Sequence, residues 1–453
     1  MKRWMLAVVV LAVAGLGVTL IARTRGPEWS TDSPEALAAV QDANDAMMKL
    51  YYDDAAASLR HAVELDPDFV YPKQVLASHP GWVDKETAKR YVDDLRSADL
   101  GDLTHRERCL VERFLAFRDG DRDRGMAILD ACLESDPDDV YLLNEKAAVH
   151  WAQGDLATAE RLYRRIVELN PNWVVAYNQL GYTTMIQERF VEAREYFVSY
   201  RYIAPDQANP HDSLGELYII QGQWEDARLS LEHALEIKPD FWASYEHLVI
   251  VLALMGRYDE AFEVVDRMAA LPGHPESYPE RMRCFIDVYR LNARDADREV
   301  LDLVDSGCGG DQPYSGFVTI AAHRAAVRLG DWDRAIAIED AIRELFAKMD
   351  ERKKEMGELE AGLQHMQGVR LAAQGHADDA IDHFRQADKL LEYRETGPGL
   401  LKLHNRLAEV ETLHAAGRDA EAQRLLGEVR FVNPVMVDQF EARGLHEIGL
   451  VGG

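Results

Sequence analysis

Large apolar and small residues recur along this chain in an arrangement that predicts paired helices. The stretch YNQLGYTTMIQERFVEAREYFVSYRYIAP (177–205) is large at Leu180 and Phe197 and small at Gly181 and Ala193. Small residues let two antiparallel helices cross closely, and the large residues fill the space beside the crossing. The pattern therefore predicts a helix pair that ends before the final proline, because proline cannot continue a helix.

The same arrangement returns at a fixed interval of 34 residues (171 minus 137). The near copies IVELNPNW (166–173) and ALEIKPDF (234–241) each form the end of a second helix and the turn into the next unit. Three columns keep this step: Pro137, Pro171, Pro205 and Pro239; Gly120, Gly154, Gly222 and Gly256; Ala159, Ala193, Ala227 and Ala261. A fixed period of this length predicts a repeat array in which each unit packs only on its neighbours.

These columns resemble the tetratricopeptide repeat (TPR), whose pattern is W-x2-L-G-x2-Y, then A-x3-F and a terminal proline. Leu180 and Gly181 precede Ala193 and Phe197 in one unit, and the next unit, 211–239, repeats this arrangement. The resemblance implies an all-α fold, a superhelical solenoid of antiparallel helix pairs.

The clarity of the period divides the chain into segments of different regularity. It is strongest in the middle, slips after Pro272, and returns near Gly330, Gly375 and Gly417. The predicted segments are a signal-anchor or transmembrane segment (1–25), a first TPR-like unit with a diverged helix pair (26–105), the regular 34-residue array (106–273), a degenerate helix pair with a glycine-rich loop (274–315), and C-terminal TPR-like units (316–453).

The N-terminus contains an uncharged run from Trp4 to Ala22, with two basic residues on each side. A helix of this length, at about 1.5 Å per residue, is roughly 28 Å long, close to the hydrocarbon thickness of a bilayer. We expect one uncleaved transmembrane helix ahead of the solenoid. A signal peptide cleaved after Ala12-x-Ala14 and a buried helix are the alternatives. The free amino terminus favours an N-in orientation, which places the repeats outside the cytoplasm, in the periplasm of a bacterial cell envelope; cytoplasmic repeats and secretion after cleavage remain open.

The net charge of −28 bears on the class of partner. Nucleic-acid binding requires a basic face that displaces counterions from phosphates, and the sequence contains no cluster of Lys and Arg that would form one. A nucleic-acid partner is therefore not expected.

The four cysteines, Cys109, Cys132, Cys284 and Cys308, are scattered and form no C-x-x-C pair. This spacing supports neither a zinc site nor a thioredoxin-like motif. Cys109 and Cys132 fall in one predicted helix pair and can approach each other, but we expect these cysteines to act as small buried residues.

Motifs that carry catalysis or bind cofactors are not recognisable, so no catalytic, cofactor or metal site is predicted. The stretch DGDRDRG (119–125) has aspartates at calcium-loop spacing, but Arg124 stands where that loop requires glycine. We expect Gly120 to form the turn between two helices and the aspartates to cap the second helix.

In the TPR family the first helices line a concave groove that holds peptide segments, and the resemblance assigns groove positions in this chain. Asparagine at the equivalent place in two successive units can bond a peptide backbone, and aromatic residues beside it supply contact area. Trp151, Met185 and Ile219 are equally well explained by packing between units. The basic residues with which family members clamp a terminal carboxylate have no counterparts here. The candidates are Asn144, Trp151, Asn178, Tyr182, Met185, Asp212, Glu216 and Ile219.

These observations favour a membrane-anchored, non-catalytic scaffold that binds a protein or peptide in the groove. The alternative is a regulatory module that senses a small ligand or peptide and signals to a membrane partner. The two differ in ligand size, since a scaffold holds a protein stably and a sensor changes shape around something small.

Overall fold

The structure, a computed structural model, describes residues 28–273, 277–308, 316–349 and 357–442. Helices joined by short turns make up this part of the chain, and it contains no strand, so the all-α prediction is confirmed there. The predicted membrane segment, residues 1–25, lies outside the described residues. Within them, no helix has both the length and the apolar character needed to cross a bilayer.

The chain divides into two compact units, residues 1–176 and 177–453. The boundary falls within the segment that the sequence predicts as one regular array, inside helix α9, Val174–Ile186. The N-terminal unit contains α1 Pro34–Met48, α2 Tyr52–Leu65, α3 Val70–Ser78, α4 Lys85–Ser97, α5 His105–Arg118, α6 Arg122–Ser135, α7 Val140–Ala152 and α8 Leu156–Leu169.

The C-terminal unit continues the helix pairs to residue 442. It contains α10 Phe190–Ile203, α11 Ala208–Ile220, α12 Trp224–Ile237, α13 Trp242–Leu254, α14 Tyr258–Ala269, α15 Tyr278–Asn292, α16 Asp297–Asp305, α17 Gly316–Arg328, α18 Trp332–Lys348, α19 Glu358–Ala373, α20 Ala377–Leu390, α21 Thr396–Ala415, α22 Asp419–Val432 and α23 Pro434–Ala442.

The turns between helices lie where the repeat columns predict them. Gly154 has φ 77°, the left-handed conformation that ends α7. Asp155 then caps α8, because its side chain accepts a hydrogen bond from the Thr158 amide. Pro171 follows the end of α8. In the predicted non-calcium turn, Asp121 caps α6 in the same way, through the Arg124 amide.

The close crossing of paired helices is also confirmed. A Cβ on Gly181 would overlap the Phe197 ring, and a Cβ on Gly215 would lie 2.7 Å from Cγ of Leu231. Glycine therefore sets the approach of α9 to α10 and of α11 to α12, as the alternation of small and large residues predicts.

The core of the C-terminal unit joins parts of the chain that are far apart in sequence. Leu214, Ile220 and Leu248 belong to one buried cluster with Leu403 and Val432. Helix α21 packs on α11 as well as on its neighbours α20 and α22. The last helices of this unit therefore lie against its first ones, which decides whether the predicted groove is open.

Candidate functional site

The predicted groove residues of the N-terminal unit lie on one helix, α7. Asn144 and Trp151 are partly exposed, and Ala148, one turn from each, is exposed. This row of side chains is accessible along the helix.

The predicted polar groove residues of the C-terminal unit are engaged within the chain. The Tyr182 hydroxyl donates to Glu216 Oε2 at 2.7 Å, and Asn178 Oδ1 accepts from Ser213 Oγ at 2.9 Å. Asp212 accepts from Ser244 Oγ at 2.6 Å. These contacts link successive first helices, because Asn178 and Tyr182 lie on α9, Asp212 and Glu216 on α11.

The two apolar candidates of this unit are fully buried. Met185 and Ile219 are 0% exposed and belong to the core cluster. The sequence allows either a role in binding or packing between repeats for these residues. Their burial shows that Met185 and Ile219 pack in the core. Trp151, the third residue of this kind, is only partly buried.

Helix α21 packs against α11 and contacts its groove candidate Glu216. The Thr396 amide and hydroxyl both donate to Glu216 Oε1, the latter at 3.1 Å. Gly399 leaves room for Ile220, since a Cβ there would lie 3.1 Å from Ile220 Cδ1. At the C-terminal end of α11, Asn433, which lies between α22 and α23, donates from Nδ2 to the Ile220 carbonyl at 2.8 Å. Glu216 is thus held by this chain rather than presented to a partner.

A second group of contacts joins α21 to the turn before α10. Arg406 Nε donates to Asp388 Oδ1 at 2.7 Å, and its Nη2 donates to Glu188 Oε1 at 2.9 Å. Glu188 occupies the glycine column of the repeat and has φ 59°, a left-handed conformation that is unusual for a residue with a side chain. The interruption of that column was the sequence signal for this contact.

Buried charge is concentrated between α11 and α13. His247 Nδ1 lies 3.1 Å from Asp212 Oδ1, and its Nε2 lies 3.7 Å from Glu216 Oε1. Burial alone would lower the pKa of His247, but Asp212 and Glu216 raise it to about 10. Burial raises the pKa of Glu216 above its usual range. An imidazolium shared by two carboxylates therefore stabilises this network at neutral pH.

The geometry of both units is that of recurring helix pairs whose first helices form one face. The sequence profile of the family described as "Tetratricopeptide repeat" matches residues 115–172 and 213–275. These two segments of the chain match tetratricopeptide repeats. TPR proteins in general mediate protein–protein interaction, and the family is generally non-enzymatic.

Among known proteins, a TPR repeat-containing protein of Pseudomonas aeruginosa is 29% identical to this chain over 132 residues. The match covers 29% of this chain and 22% of that protein, so it spans less than a quarter of the relative's length.

Two solved structures are similar to this chain at low sequence identity. A tetratricopeptide repeat protein from Parabacteroides merdae is 17% identical with a TM-score of 0.41, covering 55% of this chain and 93% of that one. The Cut9–Hcn1 hetero-tetramer of APC/C includes a chain that is 15% identical with a TM-score of 0.44, covering 96% of this chain and 81% of that one.

The four cysteines are not free buried thiols, which corrects the sequence prediction. Cys109 on α5 is bonded to Cys132 on α6, and Cys284 on α15 is bonded to Cys308 after α16. Each bond ties the two helices of one pair together. The pairing of Cys284 with Cys308 was hidden in the sequence, because the repeat period is lost in this region.

One group among the described residues has metal-binding side chains close together. It consists of His105, Cys109 and Cys132, whose ligand atoms lie within 4.8 Å of one another. Both sulfurs are in the disulfide, so neither is a thiolate that could bind a metal.

Three residues that were not predicted as groove residues occupy the same position in their helices. Tyr71, Arg106 and Tyr141 are the second residues of the first helices α3, α5 and α7. All three contact Trp29, which precedes the first repeat and is 4% exposed. Aromatic residues at the same helix position in two units were the available signal.

Proposed function

We propose that this chain is a non-catalytic, protein-binding scaffold whose open binding face is the concave side of the N-terminal unit. The observation that carries the proposal is the difference between the two units. Ala148 is exposed beside the partly exposed Asn144 and Trp151, whereas the matching residues of the C-terminal unit are buried or bonded within the chain. A partner segment can reach Ala148 on α7 without separation of any helices.

In this proposal the C-terminal groove residues have a conditional role. Asn178, Tyr182, Asp212 and Glu216 contact a partner only after α21 has moved away from α11, which breaks the contacts between Thr396 and Glu216. Separation of α21 would also expose the buried histidine network, and the partner would have to replace its hydrogen bonds.

We propose in addition that the repeats are held at a membrane and lie outside the cytoplasm. The uncharged run from Trp4 to Ala22 supports a membrane anchor. The two disulfides support an oxidising compartment, because disulfides persist in secreted and periplasmic proteins and are rare in the cytosol.

A second candidate function is a sensor that signals through the C-terminal unit. The contacts of Glu216 with Thr396 and of Arg406 with Glu188 support it, because they form a polar latch between distant parts of one unit. A small ligand or peptide that binds the open form better than the closed form would shift the equilibrium between them.

Native mass spectrometry of the full chain, purified gently from its own host, tests the scaffold. Three forms are compared: the unmodified chain, Ala148→Arg on the open face, and Ala157→Arg, which is exposed on α8 of the same repeat. We expect a protein-sized addition in the unmodified chain and in Ala157→Arg, and its loss in Ala148→Arg. Equal partner binding by all three forms would contradict the assigned face, and a small-molecule addition would favour the sensor.

A further inference from the structure

A short segment ahead of the repeats, residues 28–31, lies against the first helices α3, α5 and α7 of the N-terminal unit. Trp29 stacks on Tyr71 with ring centroids 4.0 Å apart, and its ring meets Tyr141 edge-on at 5.6 Å and Phe69 at 6.5 Å. Only 4% of Trp29 remains exposed. The tryptophan therefore fills an aromatic cage formed by Tyr71 on α3, Tyr141 on α7 and Phe69, which precedes α3.

The residues on either side of Trp29 meet groups of matching chemistry. Glu28 Oε1 accepts from Arg106 at 2.6 Å, and Ser30 Oγ donates to Glu107 Oε1 at 2.9 Å. The Arg106 guanidinium also lies over the Trp29 ring, 5.4 Å from its centroid. A cation above an aromatic face and beside a carboxylate contributes to binding of both.

The cage is held together by contacts that do not involve the segment. Arg106 Nε donates to Asp139 Oδ2 at 2.7 Å, and its guanidinium lies 4.4 Å from the Tyr141 centroid. The Tyr71 hydroxyl donates to Asn44 Oδ1 at 3.0 Å, and Asn44 Nδ2 donates to Tyr141 at 3.4 Å. The walls are thus positioned by the repeats themselves, and a preorganised site loses less entropy when it binds.

Residues 28–31 contact the first helices of these repeats in the way that a bound peptide would. Residues 28–31 precede α1 and belong to no helix pair, whereas Tyr71, Arg106 and Tyr141 are each the second residue of a first helix. An acidic residue, a tryptophan and a hydroxyl residue each contact a different complementary group. The same groups could recognise three successive side chains of an extended peptide.

We propose that this face is a recognition site for an extended partner segment with the order acidic residue, tryptophan, hydroxyl residue, and that Glu28, Trp29 and Ser30 occupy it as a resident competitor. The inference rests on the proposed scaffold function and names the chemistry of its partner. Because the resident segment is covalently attached, its effective concentration is on the order of millimolar, and a partner must displace it.

The test uses the full-length chain and a fluorescently labelled peptide, PEWSTDS, which copies residues 27–33. Its binding is measured by fluorescence anisotropy to the unmodified chain, to Trp29→Ala, and to Trp29→Ala combined with Arg106→Gln. A control peptide carries alanine in place of the tryptophan. We expect the labelled peptide to bind Trp29→Ala at least tenfold more tightly than the unmodified chain, the Arg106→Gln change to weaken that binding at least tenfold, and the control peptide not to bind.

A second variant keeps the test decisive if Trp29→Ala folds poorly. Glu28→Arg places a positive charge beside Arg106 and loosens the resident segment while leaving the tryptophan in the chain. It is expected to raise the affinity for the peptide above that of the unmodified chain. Equal binding of the two peptides, or no gain in affinity in either variant with a native circular dichroism spectrum, would overturn the proposal.

The peptide assay and the native mass measurement can fail separately. Peptide binding without a host partner that depends on Ala148 would leave the recognition site standing and remove the scaffold. A host partner without peptide binding would keep the scaffold and assign residues 28–31 a purely structural role.

Discussion

Replacing Gly368 by alanine tests the packing that defines each helix pair. Gly368 lies on α19 and faces Phe384 of α20, a fully buried residue. An added Cβ would lie 2.6 Å, 2.8 Å and 3.0 Å from three atoms of that ring. Ordinary contact begins at 3.4 Å, so either the ring or the helix must move by 0.8 Å (3.4 minus 2.6).

The expected free-energy change is the difference between two opposing effects. Overpacking of a core costs about 1–3 kcal/mol, and exchanging glycine for alanine in a helix gains roughly 0.5–1 kcal/mol. These figures leave a net cost of about 0–2.5 kcal/mol, and we expect Gly368→Ala to destabilise α19 and α20 by about 1–2 kcal/mol, the middle of that range, because the overlap involves three ring atoms. Gly362 lies on the same helix with nothing within 4 Å of an added Cβ, so Gly362→Ala is expected to stabilise by about 0.5–1 kcal/mol.

Amide hydrogen exchange across residues 358–390 of the full chain is the assay, since it reports the opening of these two helices. A change of 1–2 kcal/mol corresponds to exchange that is about 5–30 times faster in Gly368→Ala. Gly362→Ala should exchange more slowly than the unmodified chain. The reasoning is refuted if Gly368→Ala is as protected as the unmodified chain, or if both variants lose protection equally.

Three further predictions concern the latch, the buried histidines and the disulfides. Arg406→Ala should destabilise the C-terminal unit by about 1.5–3 kcal/mol in urea unfolding, because it removes the charged hydrogen bonds to the partly exposed carboxylates of Glu188 and Asp388 and leaves them only the nearby Lys402. The exposed pair broken by Arg343→Ala should cost at most about 1 kcal/mol, and equal losses would contradict the latch. In ¹⁵N-histidine NMR spectra His247, with a pKa raised to about 10, should stay charged at pH 8, and His365, whose pKa burial lowers to about 4, should stay neutral at pH 6. The pKa of His247 in the folded protein is above the unfolded value of about 6.5, so the charged His247 should stabilise the fold fully below pH 6.5 and lose this contribution as the pH rises through about 10. The difference in unfolding free energy between the unmodified chain and His247→Gln should therefore shrink from pH 6 to 10. A constant difference would contradict the network. Alkylation of the denatured, unreduced protein should modify none of the four cysteines, and modification of any of them would contradict the pairing.

The helix pairs could be predicted from the sequence because each is determined by local residues that recur. Gly181 must be small beside Phe197, and Pro205 must follow a helix end, whatever the rest of the chain does. Such requirements appear in every unit, and the period exposes them.

The closure of the C-terminal unit could not be predicted in this way. Thr396 and Glu216 are separated by 180 residues, and their contact depends on the curvature accumulated over the intervening helix pairs. Nearest-neighbour packing does not determine that curvature from one unit's sequence. The one local trace was Glu188, which replaces glycine in a left-handed turn because its carboxylate binds Arg406.

The site on the N-terminal unit was missed for a different reason. The groove residues predicted from the sequence lie on α7, α9 and α11, and residues 26–33 were assigned to the first TPR-like unit with no role in binding. Trp29 gains its importance only from Tyr71, Arg106 and Tyr141, which lie on three separate helices. Aromatic residues in a non-repeating leader are the signal to look for in such chains.

We propose that partners bind the face formed by the first helices of the N-terminal unit. Photo-crosslinking in the native host is the most direct test of this claim. A photoreactive residue replaces Ala148 on α7 in one strain and Ala157 on α8 in another, two exposed alanines of the same repeat. We predict a defined protein crosslinked from position 148 and absent from position 157. Capture of the same protein from both positions, or from position 157 alone, would contradict the claim.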